Sequence, residues 1–246
     1  MTYCLGILLP CGLVLAADSR SNAGVDQIAL ARKMSLISTP RDRVIAILSA
    51  GNLATTQAVV TQLRQAVGSG NFSRDVQAAR TMFDVASIVG GMLREVVDRD
   101  SRYVQPYGDP SGSFLVGGQI SGEAPRLFQI YSAGNVIEAS SRSRFLQIGE
   151  TKYGKPILDR VIDHETTLDA GAKLAMLSFD ATIRSNLSVG PPIDLLRYAT
   201  DSFSTDNLVT FQDGDDYWQE LKRGYAQGLS DLVDNLPEPP SARATS

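Results

Sequence analysis

The chain begins Met1-Thr2-Tyr3-Cys4-Leu5-Gly6-Ile7 and continues to Leu13-Val14-Leu15-Ala16-Ala17-Asp18. Residues 2–9 predict a β-strand and Pro10-Cys11-Gly12 predicts a tight turn. Residues 13–17 are almost all apolar, which is typical of a strand buried on both faces. The chain therefore opens with a β-hairpin that lies inside a sheet.

Threonine directly follows the initiator methionine in this hairpin. Removal of Met1 leaves Thr2 with a free α-amine, a group that titrates near ~8. A hydroxyl nucleophile needs a base beside it, and an N-terminal threonine carries that base on its own backbone. Threonine after methionine is also common without any catalytic meaning, so Thr2 alone does not establish a nucleophile.

Two charged residues, Asp18 and Lys33, follow within or at the end of predicted strands. Asp18 closes the second strand, where an unpaired carboxylate is costly. Lys33 lies in a third strand-like run, Leu30–Leu36. We therefore predict Thr2, Asp18 and Lys33 on the first three strands of one antiparallel sheet. The alternative is an ordinary buried ion pair, which contributes little net stability.

This trio, with Ala17-Asp18-Ser19-Arg20 and Arg32-Lys33-Met34, resembles the proteasome β-subunits and their bacterial relatives, the N-terminal nucleophile hydrolases. The start Met1-Thr2-Tyr3-Cys4 and the later run 184–190 look like the bacterial group called Anbu, the ancestral β-subunit. The resemblance extends from Thr2 to about Val233. It implies an α+β fold, a four-layer αββα sandwich.

Composition restricts the other possibilities. The 246 residues with net charge −4 fit one domain, 1–236, followed by a proline-rich tail, 237–246, that we expect to be mobile. An acidic chain disfavours a nucleic-acid partner, and no apolar run reaches the ~20 residues of a membrane span. With no secretory signal and only Cys4 and Cys11, we expect a reduced, cytoplasmic protein. Cys4 is predicted to be a packed apolar side chain.

The remaining pattern predicts alternating groups of strands and helices. Asn52 is a candidate N-cap for the first helix, and a second helix is predicted over Asp75–Val97. Its Gly90-Gly91 pair suggests close approach of another backbone, which would be consistent with a neighbouring subunit. Strands are expected near 113–120, 126–131, 136–139, 145–148, 192–198 and 208–212, and helices near 152–161, 168–185 and 215–233. The last helix carries an apolar stripe: Tyr217, Leu221, Tyr225, Leu229 and Leu232.

The resemblance also implies roles for single residues. Thr2 would attack a peptide carbonyl and form an ester that water hydrolyses. Lys33 would lower the pKa of the hydroxyl and of the amine, and Asp18 would hold Lys33 in place. The remaining implied roles are an oxyanion-hole N–H from Gly51 and substrate contacts from Asn22 and Leu53.

Two departures from the family pattern concern the surroundings of the nucleophile. The family run Arg-Asp-x-x-Ser-Gly-Gly is here Arg184–Gly190, in which Ser188 keeps the serine and Ser185 replaces the aspartate. The family Gly-Ser-Gly is here Gly149-Glu150-Thr151. A glutamate at 150 would raise the pKa of the nearby amine and weaken it as a base.

Together these features predict an N-terminal threonine peptidase or amidase that acts on peptides, needs no cofactor or metal, and assembles as a homo-oligomeric ring or spiral. Two alternatives stay open: a weak or inactive proteasome-like assembly subunit, and an amidase for small molecules. Retention of Thr2, Asp18 and Lys33 favours the enzyme. The sequence identifies neither the preferred peptide bond nor an ATPase partner.

Overall fold

The computed structural model describes residues 1–22 and 28–240, which form twelve strands and five helices. The strands are β1 (Tyr3–Leu9), β2 (Gly12–Asp18), β3 (Arg20–Asn22), β4 (Ile28–Leu30), β5 (Met34–Thr39), β6 (Arg43–Gly51), β7 (Gly112–Ile120), β8 (Arg126–Ile130), β9 (Val136–Glu138), β10 (Phe145–Gly149), β11 (Ile193–Ala199) and β12 (Leu208–Phe211). The helices are α1 (Leu53–Ala66), α2 (Met82–Val104), α3 (Lys155–Val161), α4 (Leu168–Ser185) and α5 (Asp216–Asn235).

Ten of these strands form two antiparallel sheets. The first sheet has the order β10-β1-β2-β11-β12, and the second has the order β5-β6-β7-β8-β9. The predicted opening hairpin is present, with Cys4 opposite Ala17. Strand β1 lies between β2 and β10, and β2 lies between β1 and β11, so both opening strands are internal.

Three apolar clusters separate four layers. One lies between the two sheets and includes Cys4 and Leu115, which confirms Cys4 as a packed apolar side chain. A second joins α1 and α2 to the outer face of the second sheet. A third packs α3, α4 and the start of α5 on the first sheet. Because each sheet buries one face on the other sheet and one on helices, the αββα sandwich is confirmed.

The helix boundaries show which local signals were informative. The Asn52 side chain accepts a hydrogen bond from Thr55 N at 3.1 Å, so the predicted N-cap of α1 is confirmed. The prediction that α2 begins at Asp75 is wrong, because Thr81 and Asp84 form a capping box that starts the helix at Met82. Residues 75–81 are turns and bends, although apolar residues within them are buried.

The glycine pair in α2 contacts a backbone of the same chain. A Cβ on Gly90 would lie 2.4 Å from the carbonyl oxygen of Gly134, whereas a Cβ on Gly91 would meet only an arginine side-chain atom at 4.0 Å. Gly134 belongs to the turn between β8 and β9. The close approach is therefore intramolecular, and it no longer supports a neighbouring subunit at this helix.

The segment that carries Lys33 departs most from expectation. Lys33 lies in the connection before β5, and β5 belongs to the second sheet. Thr2 precedes β1, so the prediction that the trio occupies three strands of one sheet is wrong. The chain crosses between the sheets at this point, after the short β3–β4 pair, which the sequence pattern did not reveal.

Helix α5 is anchored mainly by its only tryptophan. Trp218 is buried against the third cluster, whereas Leu229 and Leu232 on the predicted apolar stripe are about half exposed. The stripe is therefore not the packing face along the whole helix. Residues 237–240 of the predicted tail are exposed, and 241–246 lie outside the described residues. In the described ranges, none of the helices has the length and apolar character needed to cross a membrane.

Candidate active site

Thr2 is held by its backbone at the head of β1. The N–H of Glu150 donates to the Thr2 carbonyl oxygen at 2.7 Å. Gly149, which pairs with Tyr3, has φ +83°, and a Cβ there would lie 2.0 Å from the same oxygen. The residue before Glu150 must therefore be glycine for the threonine to occupy this position.

A buried ion pair lies beside Thr2. Lys33 Nζ donates to Asp18 Oδ1 at 2.6 Å, and both side chains are almost fully buried. The N–H of Tyr3 donates to the same oxygen at 3.0 Å, and the N–H of Gly190 donates to Oδ2 at 3.3 Å. Burial raises the pKa of the Asp18 carboxyl, while the Lys33 ammonium and the two N–H groups act in the opposite direction.

The lysine is fixed by its neighbours in both sheets. Its Nζ also donates to the Arg20 carbonyl oxygen at 2.6 Å. Its carbonyl oxygen accepts the N–H of Ser49 in β6 at 3.1 Å, and the N–H of Ala31 donates to the Ser19 carbonyl at 2.8 Å. These bonds fix the ammonium group although Lys33 is in no strand.

The chain amine lies in the field of the same charges. With Met1 in place, the pKa of its α-amine is below the ordinary value, first because of burial and second because of the Lys33 charge. Asp18 and Glu150 act in the opposite direction. The net pKa of the Met1 amine is lowered because burial and Lys33 outweigh the two carboxylates, and the effect of Glu150 on a free Thr2 amine stays a prediction.

Glu150 connects the backbone of Thr2 to the loop after α4. Its Oε2 accepts Asn186 Nδ2 at 3.1 Å and its Oε1 accepts the Lys152 N–H at 3.3 Å. Asn186 Oδ1 in turn accepts the N–H of Ser188 at 3.0 Å. Sequence reasoning missed Asn186, whose position between the two candidate serines was the only available signal. Ser185 is exposed at the end of α4.

The residues assigned to the substrate occupy a second region next to Lys33. Gly51 ends β6 with φ +108°, and a Cβ there would lie 2.6 Å from the Ser111 carbonyl oxygen. Leu53 begins α1, is 39% exposed and lines a cavity of about 470 Å³. The side chain of Asn22 lies outside the described residues. Among the described residues, there is no cluster of three or more His, Cys, Asp or Glu side chains that could hold a metal ion.

This fold and this site define the class of N-terminal nucleophile hydrolase-like proteins. A family model described as proteasome subunit matches residues 2–196, and the chain belongs to the proteasome subunit family. Proteasome subunit beta 2 of Pyrococcus furiosus is 26% identical over 203 residues, covering 82% of this chain and 89% of that protein. Proteasome subunit alpha 1 of Haloferax volcanii is 27% identical over 209 residues, covering 85% and 75%.

Solved structures relate the chain to a smaller group within this family. The chain is similar to Anbu (ancestral beta-subunit) from Yersinia bercovieri, with 41% identity, a TM-score of 0.91 and coverage of 98% of this chain and 100% of that one. It is similar to the same extent to the structure described as the helical assembly of the Anbu complex from Pseudomonas aeruginosa, with 43% identity, a TM-score of 0.93 and coverage of 98% and 100%. The resemblance to the Anbu group is thereby confirmed.

Proposed function

We propose that this protein is an N-terminal threonine peptidase of the proteasome β-subunit type. The observation that carries the proposal is the Lys33–Asp18 pair, at 2.6 Å, bonded through Asp18 to the N–H of Tyr3, the residue that follows Thr2. A buried pair of this kind adds little net stability. With Met1 in place, the Lys33 charge helps to lower the pKa of the Met1 α-amine, which is one residue away from the Thr2 amine that would serve as the base after Met1 is removed.

The chemistry follows from these positions. After Met1 is removed, the α-amine of Thr2 takes the proton from Oγ as the oxygen attacks a peptide carbonyl carbon. The amine then gives that proton to the leaving nitrogen, the C–N bond breaks, and an ester to Thr2 is left. Water, deprotonated by the same amine, attacks the ester, releases the new carboxyl group and returns the proton to Oγ.

The neighbouring groups stabilise charge during these steps. The Lys33 ammonium favours the deprotonated hydroxyl, and Asp18 keeps that ammonium charged and in position. The N–H of Gly51 is the proposed donor to the carbonyl oxygen as it becomes negative, a contribution of about 3–4 kcal/mol to the barrier in other enzymes. The hydrogen bonds that join Glu150, Asn186 and the Ser188 N–H support Ser188 as a proposed supporting group for the amine, and Ser185 is a second such proposal.

We further propose that the protein works as a homo-oligomer, ring or spiral, in the cytoplasm. The support for assembly is a similar structure described as the helical assembly of the Anbu complex, and the support for the location is membership of the proteasome subunit family. Enclosure would restrict access to a peptidase whose nucleophile is only partly buried in the single chain. Sedimentation at micromolar concentration tests this: a monomer near 26.5 kDa with full activity contradicts it.

The experiment compares processed wild type with Thr2→Ala and Thr2→Ser. Intact mass first establishes whether Met1 is removed, and a panel of fluorogenic peptides then reports turnover. We expect Thr2→Ala to lose turnover with an unchanged circular dichroism spectrum and Thr2→Ser to keep part of it. Equal turnover by Thr2→Ala would refute the assignment. Retention of Met1 together with no turnover would favour the inactive assembly subunit, and turnover of small amides alone would favour the amidase.

A further inference from the structure

The cavity beside the lysine, here called the Lys33 cavity, has a lining that the proposed mechanism does not use. Ala31, Arg32 and Met34 flank Lys33 along the chain, and Ser49, whose N–H binds the Lys33 carbonyl, lies on the opposite side. The other lining residues are contributed mostly by the exposed face of α1. They are Leu30, Ser35, Leu53, Thr56, Gln57, Val60, Thr61 and Arg64.

The charged side chains in the described lining of this cavity are all positive. It contains Arg32 and Arg64, and the lining residues that the structure describes include no carboxylate. Arg64 is exposed, and its Nη2 donates to the neutral Ser35 hydroxyl at 3.2 Å. No residue in the described ranges forms an ion pair with Arg64, in a chain whose net charge is −4. An uncompensated guanidinium in a concave site attracts an anion.

Arg32 is fixed in place by one carboxylate and has N–H donors left to bind a second acidic group. Its Nε and Nη2 donate to the two oxygens of Asp194 at 2.9 and 3.3 Å. Asp194 is 2% exposed whereas the Arg32 side chain is 61% exposed, and Thr210 Oγ1 also donates to Asp194 Oδ1 at 2.6 Å. A guanidinium has five N–H donors, so three remain available on a side chain that is already ordered. Asp194 offsets one charge, and Arg64 leaves the cavity positive.

We propose that the Lys33 cavity binds the acidic side chain of the substrate residue whose carbonyl Thr2 attacks, so that cleavage follows glutamate or aspartate. This inference rests on the proposed function, because it is the nucleophile that makes the cavity a substrate pocket. Met34, Leu53 and Val60 can contact the methylene groups of glutamate. The two arginines bind its carboxylate with charge-assisted hydrogen bonds. An apolar side chain of the same size would desolvate these polar groups without pairing them.

Binding without turnover provides the first test. Calorimetry with Thr2→Ala measures the affinity of acetyl-Ala-Ala-Ala-X peptides that differ only in X as Glu, Gln, Leu or Lys. We expect the glutamate peptide to bind about tenfold more tightly than the glutamine peptide, with a difference that falls as salt is raised. Equal affinity for Glu and Gln, or a preference for Leu or Lys, overturns the proposal.

Charge reversal supplies the matched control. Arg64→Glu in the Thr2→Ala background should abolish the preference for glutamate and favour lysine. Arg160→Glu makes the same change on an exposed residue of α3 that donates to the Pro156 carbonyl, and it should leave the preference unchanged. If both variants behave alike, long-range charge rather than the cavity selects the peptide. Arg64→Gln, with smaller loss of preference, serves if the reversed variant misfolds.

Turnover separates this inference from the function on which it rests. Processed wild type is assayed on the same peptides as coumarin amides. Turnover that is fastest with X as Glu supports both proposals. Turnover that is fastest with Leu or Lys retains the peptidase and refutes the acidic preference. No turnover of any peptide counts against the peptidase, while the binding series still decides whether the cavity selects an acidic side chain.

Discussion

Replacing Gly149 with alanine should displace Thr2, the proposed nucleophile, without substituting any of the proposed catalytic residues. The new Cβ would lie 2.0 Å from the Thr2 carbonyl oxygen, whereas real Cβ contacts are essentially never under 3.0 Å. The two backbones must therefore separate by about 1 Å, which breaks the bond from Glu150 N at 2.7 Å. A misplacement of this size costs on the order of 10²-fold in rate, or about 2.7 kcal/mol of barrier.

The fold should weaken as well. An alanine at φ +83° costs about 1–2 kcal/mol, and the lost backbone hydrogen bond adds about 1 kcal/mol. Gly122→Ala is the matched control, because Gly122 has φ +91° but nothing lies within 4 Å of its Cβ position. Gly122→Ala should lose only the stability that an alanine at positive φ costs, and it should keep full turnover.

The assay is kcat/KM on the best peptide together with urea unfolding. Hydrogen exchange of the Glu150 amide gives a readout that does not depend on turnover, since the bond to Thr2 protects it in the wild type. If Gly149→Ala keeps wild-type kcat/KM and amide protection while losing only as much stability as Gly122→Ala, the tight contact does not position Thr2.

Three further substitutions test other parts of the structure. Asp18→Ala should abolish turnover and cost about 3–5 kcal/mol in unfolding free energy, because it leaves the Lys33 ammonium buried and unpaired. Gly90→Ala should destabilise the fold by about 1–3 kcal/mol through overpacking, whereas Gly91→Ala should stabilise it by up to about 1 kcal/mol by helix propensity. Burial raises the pKa of Tyr3 to about 12, so the unfolded chain loses this proton first, and about 3 kcal/mol of stability should be lost between pH 10 and 12. Tyr3→Phe should remove that part of the alkaline loss.

Each of these expectations has a clear contrary result. Normal turnover by Asp18→Ala would mean that the ion pair is structural only. Equal stability changes for the two α2 glycines would mean that the contact of Gly90 with Gly134 does not constrain the helix. Unfolding midpoints measured at pH 9 and 11.5 that fall equally in wild type and Tyr3→Phe would assign the alkaline loss to other groups.

Local signals predicted much of the fold. The apolar run of β2, the Asn52 cap of α1 and the bounds of α4 are encoded by neighbouring residues, and the structure has them where the sequence indicates. The start of α2 was missed because buried apolar residues before Thr81 continue a helical spacing without forming a helix. Apolar spacing reports burial, and only the capping residues report where the helix begins.

The arrangement of the candidate site was harder to predict from neighbouring residues in the sequence. Asp18 and Lys33 could be named from burial and resemblance, but the position of Lys33 in the connection that leads to the second sheet depends on how the chain crosses over after β4. The contact between Asn186 and Glu150 joins residues 36 positions apart, and no periodic pattern marks it. The burial of Trp218 likewise depends on where α5 docks, which its own stripe of apolar residues does not specify.

The internal position of β1 has a consequence for synthesis. Strand β1, which follows Thr2, is paired on one side with β10, and Asp18 accepts a hydrogen bond from Gly190, 172 residues later. β11, which completes the surroundings of Asp18, ends at Ala199. At about 5–20 residues per second, these partners follow Thr2 out of the ribosome after on the order of 10–40 s. If Thr2 is the nucleophile, as proposed, it emerges at the start of synthesis, but its surroundings are complete only after most of the chain has been made.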